Sequence, residues 1–253
     1  MIQMRVDPGD PPANLARAQG LVALAVSQGA RLILLPEAMD VGWTHCSARS
    51  LAAPIPDGRT CKTLAAAARE HHVHLCAGLS ERAGDRIFNA AVLISPEGDV
   101  ILLHRKINEM DFARDLYATG DRLAVAHTDL GVLGLMVCAD AFAPGQVISR
   151  TLALMGAQLI LSPCAWAVPA DHDNTKDPYG QLWLDNYQPV AREFHLYIAG
   201  VSNVGPILDG PWSGRLCIGC SLLIAPDAHP VLTGPYGPDA QSILYADIAL
   251  PSA

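Results

Sequence analysis

Apolar positions recur along the chain in two spacings, and these spacings predict alternating helices and strands. Residues 13–30 carry apolar side chains at helical spacing and end at Gly29, and residues 60–73 predict a second helix in the same way. Residues 31–38 and 74–80 are shorter, denser apolar runs, which are typical of buried strands. Helices and strands in this alternation favour sheets covered by helices.

The second half of the chain continues the alternation and adds a hairpin. Residues 89–107 predict two strands joined at the turn Pro96-Glu97-Gly98. The other predicted elements are strands at 133–140, 158–166, 197–203 and 219–226, and helices at 146–157 and 184–196. Long apolar strands between helices predict an α/β fold of several layers, and the hairpin implies mixed rather than purely parallel sheets.

Composition is consistent with one large folded unit. The chain has 253 residues, of which 51% are hydrophobic and 17% charged, so we expect one domain over residues 1–253 with a large core. Its apolar runs are shorter than the roughly 20 residues that a membrane span needs. The first ten residues lack the basic and apolar regions of a secretory signal, so we expect a cytoplasmic protein without a membrane partner.

Charge and cysteine content narrow the function classes. A formal net charge of −8 argues against a nucleic-acid partner, which would need clustered Lys and Arg. The seven scattered cysteines predict free thiols. Two clusters leave a thiol or metal-binding alternative open, "HHVHLC" at 71–76 and "CIGC" at 217–220. A second pair with zinc-like spacing is missing, which favours a helix-to-strand junction for the first and core packing for the second.

Three apolar runs each end at an ionisable side chain. Glu37 follows "LILLP", Lys106 follows "ILLHR" and Cys138 follows "LGLMV". A carboxylate could accept the thiol proton, and an ammonium could stabilise the thiolate and the oxyanion formed when it attacks a carbonyl. Taken singly, each residue has an ordinary structural interpretation, and spacing alone does not bring the three together.

Longer segments around these residues carry a family resemblance. They are "LLPEAMDVGW" (34–43), "NAAVLISPEGDVILLHRKI" (89–107) and "VCADAFAPGQVISRTLALMGAQLILSPCAW" (137–166), with support from 7–18 and 219–227. In this order they resemble the nitrilase superfamily, the carbon–nitrogen hydrolases. The resemblance implies a four-layer αββα sandwich of the α/β class.

The resemblance also implies a chemistry. It maps a Glu-Lys-Cys triad onto Glu37, Lys106 and Cys138, and implies a cysteine-dependent hydrolase of a non-peptide C–N bond in a small molecule. A linear amide or an N-carbamoyl amine would be cleaved through a thioester. Lys106 and the backbone N–H of Ala139 would hold the oxyanion. The mechanism needs no metal or organic cofactor, and the family implies at least a homodimer.

Further site residues follow from the same resemblance. A second acid is expected between the lysine and the cysteine, where Glu109 matches by identity and Asp115 by its distance from Gly120-Asp121. The identity match favours Glu109. Trp43, His45 and Trp166 are the expected walls of the substrate pocket, with packing at a loop base as the alternative for each.

Three alternatives to amide hydrolysis stay open. Nitrile hydrolysis ranks second, because residues 138–140 read Cys-Ala-Asp where nitrile-hydrolysing members usually read Cys-Trp-Glu. Acyl transfer would use the same triad. A catalytically silent binding or scaffold protein is the third alternative, since residues 143–145 read Ala-Pro-Gly in place of Phe-Pro-Glu. That change removes an acidic partner that Arg150 would otherwise have.

Overall fold

The computed structural model describes residues 1–250, and its elements follow the predicted alternation. The helices are α1 (Pro11–Ser27), α2 (Ala48–Leu51), α3 (Arg59–His71), α4 (Val147–Leu154) and α5 (Gln181–Phe194). The strands are β1 (Ile2–Gln3), β2 (Leu32–Leu34), β3 (His74–Ala83), β4 (Arg86–Ile94), β5 (Val100–Arg105), β6 (Val125–Thr128), β7 (Gly131–Leu135), β8 (Leu159–Cys164), β9 (Ala167–Pro169), β10 (Tyr197–Ser202), β11 (Val204–Pro206), β12 (Arg215–Ile218), β13 (Leu222–Ile224), β14 (Pro230–Thr233) and β15 (Ser242–Ile243). Within the described residues, no helix is both long enough and apolar enough to cross a membrane.

Two mixed sheets form the centre of the fold. One has four strands in the order β2-β3-β4-β5, and the other has six in the order β14-β13-β10-β8-β7-β6. In the smaller sheet β2 runs parallel to β3, and the other pairs are antiparallel. In the larger sheet β8 runs parallel to both β7 and β10. Two small sheets, β11-β12-β9 and β1-β15, flank them.

The apolar core lies in layers between helices and sheets. One cluster joins α1 and α3 to one face of the four-stranded sheet, through residues such as Val22, Leu64 and Leu75. A larger cluster joins the other face of that sheet to the six-stranded sheet and to α4 and α5, through residues such as Leu93 and Leu161. Strand β3 contacts β8 and β4 contacts β7, so the two sheets face each other. This order of layers confirms the αββα sandwich.

The predicted strand at 133–140 is shorter than its apolar pattern suggests. Strand β7 ends at Leu135, and residues Cys138–Phe142 form a short 3-10 helix. The carboxylate of Asp140 accepts a hydrogen bond from the Val137 N–H at 2.8 Å, and Cys138 has a φ of 44°. These two features turn the chain out of the sheet, and no hydrophobic pattern records them.

The histidine-rich segment at 71–76 is the junction that its pattern predicts. Helix α3 ends at His71, and His72 caps it in the left-handed conformation with a φ of 52°. His74 begins β3, and its Nε2 lies 2.7 Å from Asp129 Oδ1. In the "CIGC" segment, Cys217 is buried on β12 and Cys220 is half-buried just beyond that strand. Packing therefore accounts for both clusters.

Strand β3 passes directly beneath the turn that carries Glu37. The Gly78 N–H donates to the Pro36 carbonyl at 3.0 Å, and the Gly78 carbonyl accepts from the Met39 N–H at 2.9 Å. A Cβ at position 78 would lie 2.5 Å from Glu37 Cα and 2.7 Å from the Pro36 oxygen. Only glycine allows this approach, so Gly78 fixes how the Glu37 turn sits on the sheet.

Replacing Gly78 with alanine tests this contact. Because the neighbours are backbone atoms that cannot rotate away, we expect Gly78→Ala to lower the free energy of unfolding by about 1–3 kcal/mol. Gly20→Ala in α1 is the matched control, since nothing lies within 4 Å of a Cβ there. That variant should gain stability, by up to about 1 kcal/mol, from helix propensity. Urea unfolding measures both, and equal stability of the two variants would contradict the argument.

Candidate active site

The Glu37 carboxylate is fully buried and is held from two strands. Its Oε1 accepts hydrogen bonds from Asn89 Nδ2 on β4 at 2.6 Å and from Lys106 Nζ at 2.9 Å. The Glu37 N–H donates to the Cys164 carbonyl of the opposite sheet at 3.2 Å. Its second oxygen, Oε2, is buried without a hydrogen-bond partner. Glu37 therefore sits between the two sheets with one oxygen left to bind another group.

The Lys106 ammonium lies between two buried carboxylates at the end of β5. Its Nζ is 2.9 Å from Glu37 Oε1 and 3.7 Å from Glu109 Oε1, and all three side chains have 0% exposure. Burial alone would lower the pKa of Lys106, but the charges of Glu37 and Glu109 outweigh it and raise that pKa well above its usual value. Lys106 is therefore a permanent, buried positive charge.

Cys138 begins the short 3-10 helix beyond β7, in a backbone conformation that residues other than glycine rarely adopt. Only 8% of the residue is exposed. Burial raises the pKa of Cys138 well above its usual value, and a hydrogen bond with Cys164 and the charge of Glu37 act in the same direction, against Lys106. The resting thiol is therefore protonated at neutral pH, so its proton must leave as the sulfur attacks.

Of the two candidates for a second acid, the structure brings only Glu109 to the site. Glu109 is 2% exposed, and both of its carboxylate oxygens are buried without a hydrogen-bond partner. Burial raises the pKa of Glu109 to about 7, although the nearby Lys106 charge lowers it. Asp115 is exposed, and its carbonyl accepts a hydrogen bond from Arg49 on the surface. The structure therefore favours Glu109, which matches the family by residue identity, over Asp115, which matches it by position.

A buried carboxylate that sequence reasoning passed over ties the cysteine turn to the lysine loop. Asp140 Oδ2 accepts from His104 Nε2 at 2.7 Å, and Oδ1 accepts from the N–H groups of Ile107 at 3.0 Å and Asn108 at 2.7 Å. Burial opposes ionisation of Asp140, but the His104 bond and these amides hold its pKa below its usual value. Asp140 therefore fixes Cys138 relative to the end of β5.

One feature of the sequence could have indicated the contact between His104 and Asp140. His104 and Lys106 are two residues apart on one strand, so both side chains point to the same face of the sheet. A polar pair on a face that packs against another sheet needs partners there. Two asparagines were also missed, and their short polar side chains stand out little in the sequence. Asn89 donates to Glu37, and Asn108 Nδ2 donates to the Ala139 carbonyl at 2.7 Å.

Of the expected pocket walls, Trp43 reaches the lysine and His45 does not. The Lys106 Nζ lies 5.5 Å from the Trp43 ring centroid. Thr44 has a φ of 60° and turns the chain, and the His45 Nδ1 then lies 2.7 Å from Ser47 Oγ. Among the described residues, no hydrogen bond or ion pair joins His45 to the triad. Contact between His45 and a substrate therefore remains a prediction.

Trp166 lies in the same apolar core cluster as Cys138, and Ala139 is the buried residue that follows the cysteine. The Trp166 ring stacks on Trp183 with centroids 4.5 Å apart, and its Nε1 is buried without a hydrogen-bond partner. Ala139 is 1% exposed and follows Cys138 directly. The position of Ala139 fits a donor to an oxyanion at the Cys138 target carbon, and its role remains a prediction, as does that of Trp166.

The altered loop after the cysteine is held by a different ion pair. Arg150 on α4 pairs with Glu193 on α5, through Nη1 and Oε2. Arg150 therefore has an acidic partner although Gly145 supplies none. The departure from the family pattern at 143–145 does not leave α4 without an anchor.

Chemically, the arrangement suits attack on a polarised carbon. A protonated thiol lies near a carboxylate with a free oxygen, which can accept its proton. A buried ammonium nearby can stabilise negative charge on an adjacent oxygen, more strongly than it would in water. The donor set around Glu37, Lys106 and Cys138 contains an ammonium, which is not a ligand for a metal ion.

Known sequences that resemble the chain come from one family. A family model described as carbon-nitrogen hydrolase matches residues 1–253. A nitrilase from Pyrococcus abyssi is 36% identical over 173 residues, which are 66% of this chain and 64% of that relative. An (R)-stereoselective amidase from a Pseudomonas species is 28% identical over 210 residues, 83% of this chain and 72% of that relative. The match to the Pyrococcus nitrilase thus spans less than two thirds of its length.

Solved structures share the fold. A carbon-nitrogen hydrolase from Helicobacter pylori G27 superposes with a TM-score of 0.78 at 22% identity, over 92% of this chain and 83% of that one. An amidase from a Nesterenkonia species gives a TM-score of 0.78 at 24% identity, over 93% of this chain and 86% of that one. At these identities the likeness establishes the fold.

The role of the Asp140 hydrogen bonds can be tested by comparison with a second His–Asp pair, which has the same nitrogen–oxygen distance. Removing the Asp140 carboxylate leaves His104 Nε2 and three backbone N–H groups without their acceptor, so Asp140→Ala should cost about 3–5 kcal/mol of unfolding free energy. In the control pair, His74 and Asp129 are also 2.7 Å apart, but the Asp129 side chain is 64% exposed. Asp129→Ala should cost no more than about 1 kcal/mol.

Chemical unfolding of both variants provides the comparison. If Asp140→Ala proves too unstable to purify, Asp140→Asn keeps the shape, loses the charge, and should fall between wild type and the alanine variant. Equal losses for Asp140→Ala and Asp129→Ala would show that the buried tie has no special role.

Proposed function

The chain belongs to the carbon–nitrogen hydrolase family, and we propose that it cleaves a linear amide or an N-carbamoyl amine through a thioester on Cys138. The family acts on C–N bonds, and the substrate class is our inference from the site. The observation that carries it is the Lys106 ammonium, buried between Glu37 and Glu109 beside a protonated thiol.

The free-energy cost of burying these charged groups argues against a catalytically silent scaffold protein. Taking an ion out of water costs several kcal/mol unless its partners satisfy it fully. Here Glu37 Oε2 and both Glu109 oxygens are buried without a hydrogen-bond partner. A protein that only needed the fold would be more stable with apolar side chains at these positions. Unpaired acceptors around a fixed cation are instead suited to a polar ligand that supplies the missing donors.

Attack on the substrate would begin with transfer of the thiol proton. Glu37 accepts the proton of Cys138 as the sulfur bonds to the amide or carbamoyl carbon, and the C=O electrons move onto oxygen. The ammonium of Lys106 stabilises that oxyanion, together with the backbone N–H of Ala139. Because the thiol is protonated at rest, the thiolate forms only when the substrate is in place.

Collapse of this intermediate would give the thioester and release ammonia, or an amine where the amide nitrogen is substituted. The C–N bond breaks, and Glu37 returns its proton to the leaving nitrogen. Glu37 then removes a proton from water, which attacks the thioester carbon, and Cys138 recovers its proton as the acid leaves. Glu109 keeps the Lys106 ammonium in place from its other side during both steps.

The unpaired acceptors favour an amide or carbamoyl group over a nitrile. An amide NH2 brings two N–H donors to the site, and a nitrile brings none. The buried oxygens of Glu37 and Glu109 would each gain a partner from such donors. Nitrile hydrolysis is the second candidate, because a relative at 36% identity carries the name nitrilase.

Ammonia release from matched substrates tests the assignment. We expect turnover of small amides and carbamoyl amines, with less from nitriles of the same side chain. Cys138→Ala and Cys138→Ser should lose this turnover, because no thioester can form with Ala and Ser is a weaker nucleophile at this site. Cys61→Ala is the matched control, since Cys61 is buried in the α1–α3 core away from the triad, and it should retain activity.

Mass spectrometry of the quenched reaction should show the acyl group on the peptide that contains Cys138. Turnover that survives in Cys138→Ala, or a wild-type protein that releases no ammonia from any substrate class, would contradict the proposal. Faster release from nitriles than from amides would favour the second candidate.

The pH dependence of kcat/KM should follow the ionisation of the Glu109 carboxyl. Burial raises the pKa of Glu109 to about 7, so its carboxyl is protonated below that pH and negatively charged above it. Because the charged form holds Lys106, kcat/KM should fall as the pH drops through about 7. Glu109→Gln is neutral at every pH, so it should lose this step and lower kcat/KM above neutrality on the order of 10²-fold.

Asp115→Asn is the matched control, because Asp115 is exposed. It should keep both the wild-type rate and the wild-type pH profile. A pH step that persists in Glu109→Gln would assign it to another group.

We also propose that the chain forms a homodimer. Large apolar side chains are exposed on α4, where Val147 is 55% and Leu154 77% accessible, and Leu182 on the adjoining α5 is 51% accessible. Exposed apolar groups gathered on neighbouring helices are typical of protein–protein contacts.

A further inference from the structure

A second group of reactive side chains lies outside the triad, at the surface. His45 and Cys46 follow Trp43 on one loop, and Asp209 lies on the loop between β11 and β12. One imidazole nitrogen, the Cys46 sulfur and one Asp209 oxygen lie within 4.8 Å of one another. Asp209 lies 163 residues after Cys46 in the sequence, so only the tertiary structure brings it to the other two residues.

We propose that His45, Cys46 and Asp209 form a binding site for a zinc-class divalent cation. Thiolate, imidazole and carboxylate are the ligands that Zn²⁺ takes in proteins, and three of them leave a fourth position for water. Ser47 orients the His45 ring, because its N–H donates to His45 Nδ1 at 3.3 Å and its Oγ lies 2.7 Å from the same nitrogen. None of the three residues belongs to the proposed triad.

The electrostatics of the group suit a cation. Asp209 Oδ1 accepts from the Gly210 N–H at 2.7 Å, and Oδ2 accepts from the Cys46 N–H at 3.4 Å, so the carboxylate is already oriented toward the cysteine. A divalent cation in this position would bind the Asp209 carboxylate and the Cys46 sulfur together, with release of the thiol proton.

An independent observation points to a polar ligand at the same place. His45 and Asp209 line a narrow cleft whose wall also includes Asn203 and Trp43. Asn203 is 5% exposed, and its Oδ1 is buried without a hydrogen-bond partner. A buried carbonyl oxygen costs free energy unless a donor reaches it. Water carried by a bound cation is a donor of the kind that this oxygen lacks.

Binding would couple two loops that border the candidate active site. Trp43 on the first loop and Trp212 on the second pack edge to face, with ring centroids 5.1 Å apart. The second loop already lies against the first, since a Cβ at Gly210 would lie 2.3 Å from the Thr44 oxygen. A cation bound by residues of both loops would therefore hold the Trp43 ring in place over Lys106.

Cobalt titration of the full chain tests the proposal, because Co²⁺ replaces Zn²⁺ and reports thiolate ligation by absorption. We expect a thiolate-to-cobalt charge-transfer band that saturates at one equivalent and disappears when Zn²⁺ is added. Cys46→Ser should abolish the band, and Asp209→Asn should weaken binding by at least about tenfold. Cobalt should also raise the melting temperature of wild type and leave that of Cys46→Ser unchanged.

Two control variants identify the thiol. Cys220→Ser removes a half-buried cysteine, the next most accessible thiol after the exposed Cys46, and should keep the band. Cys138→Ala should also keep it, so the result is independent of the proposed hydrolase activity. A band that survives in Cys46→Ser, a band that is lost in Cys138→Ala, or no thiolate band in wild type would overturn the proposal.

Discussion

The Lys106 ammonium, buried between the carboxylates of Glu37 and Glu109, is the interaction on which the rest of the site depends. A cation in this position is stable only if both anions stay in place, and each anion is stable only beside the cation. The three groups therefore act as one unit. All three require a rigid frame that holds side chains from two separate segments, one with Glu37 and one with Lys106 and Glu109, within a few ångströms.

The αββα sandwich supplies that frame through contacts that are themselves polar or tightly packed. Gly78 lets the Glu37 turn rest on β3 without a side chain between them. Asp140 joins the turn that carries Cys138 to the loop after β5, through His104 and two backbone amides. Each contact joins two segments of the chain, so a local change in one segment would shift the side chains of Glu37, Lys106 and Cys138 relative to one another.

Burial gives the site its chemical character as well as its rigidity. The same exclusion of water raises the pKa values of Cys138 and Glu109 and makes the Lys106 charge effective at short range. A thiol that stays protonated until a substrate arrives is protected from reaction with other electrophiles. The surface group at His45, Cys46 and Asp209 differs in this respect, since solvent reaches it and metal ligation rather than acid–base chemistry suits its side chains.

The sequence alone predicted the longer helices and the strands between them, because helical and strand periodicity are local properties of the chain. Short strands such as β6, β9 and β14 were visible only in the structure. It also identified Glu37, Lys106 and Cys138 as candidates, since the segments around them resemble one family. Only the tertiary structure decided between Glu109 and Asp115, because burial depends on distant segments that pack over a residue. For the same reason, only the fold could show that Asp140 joins the turn that carries Cys138 to the residues after β5.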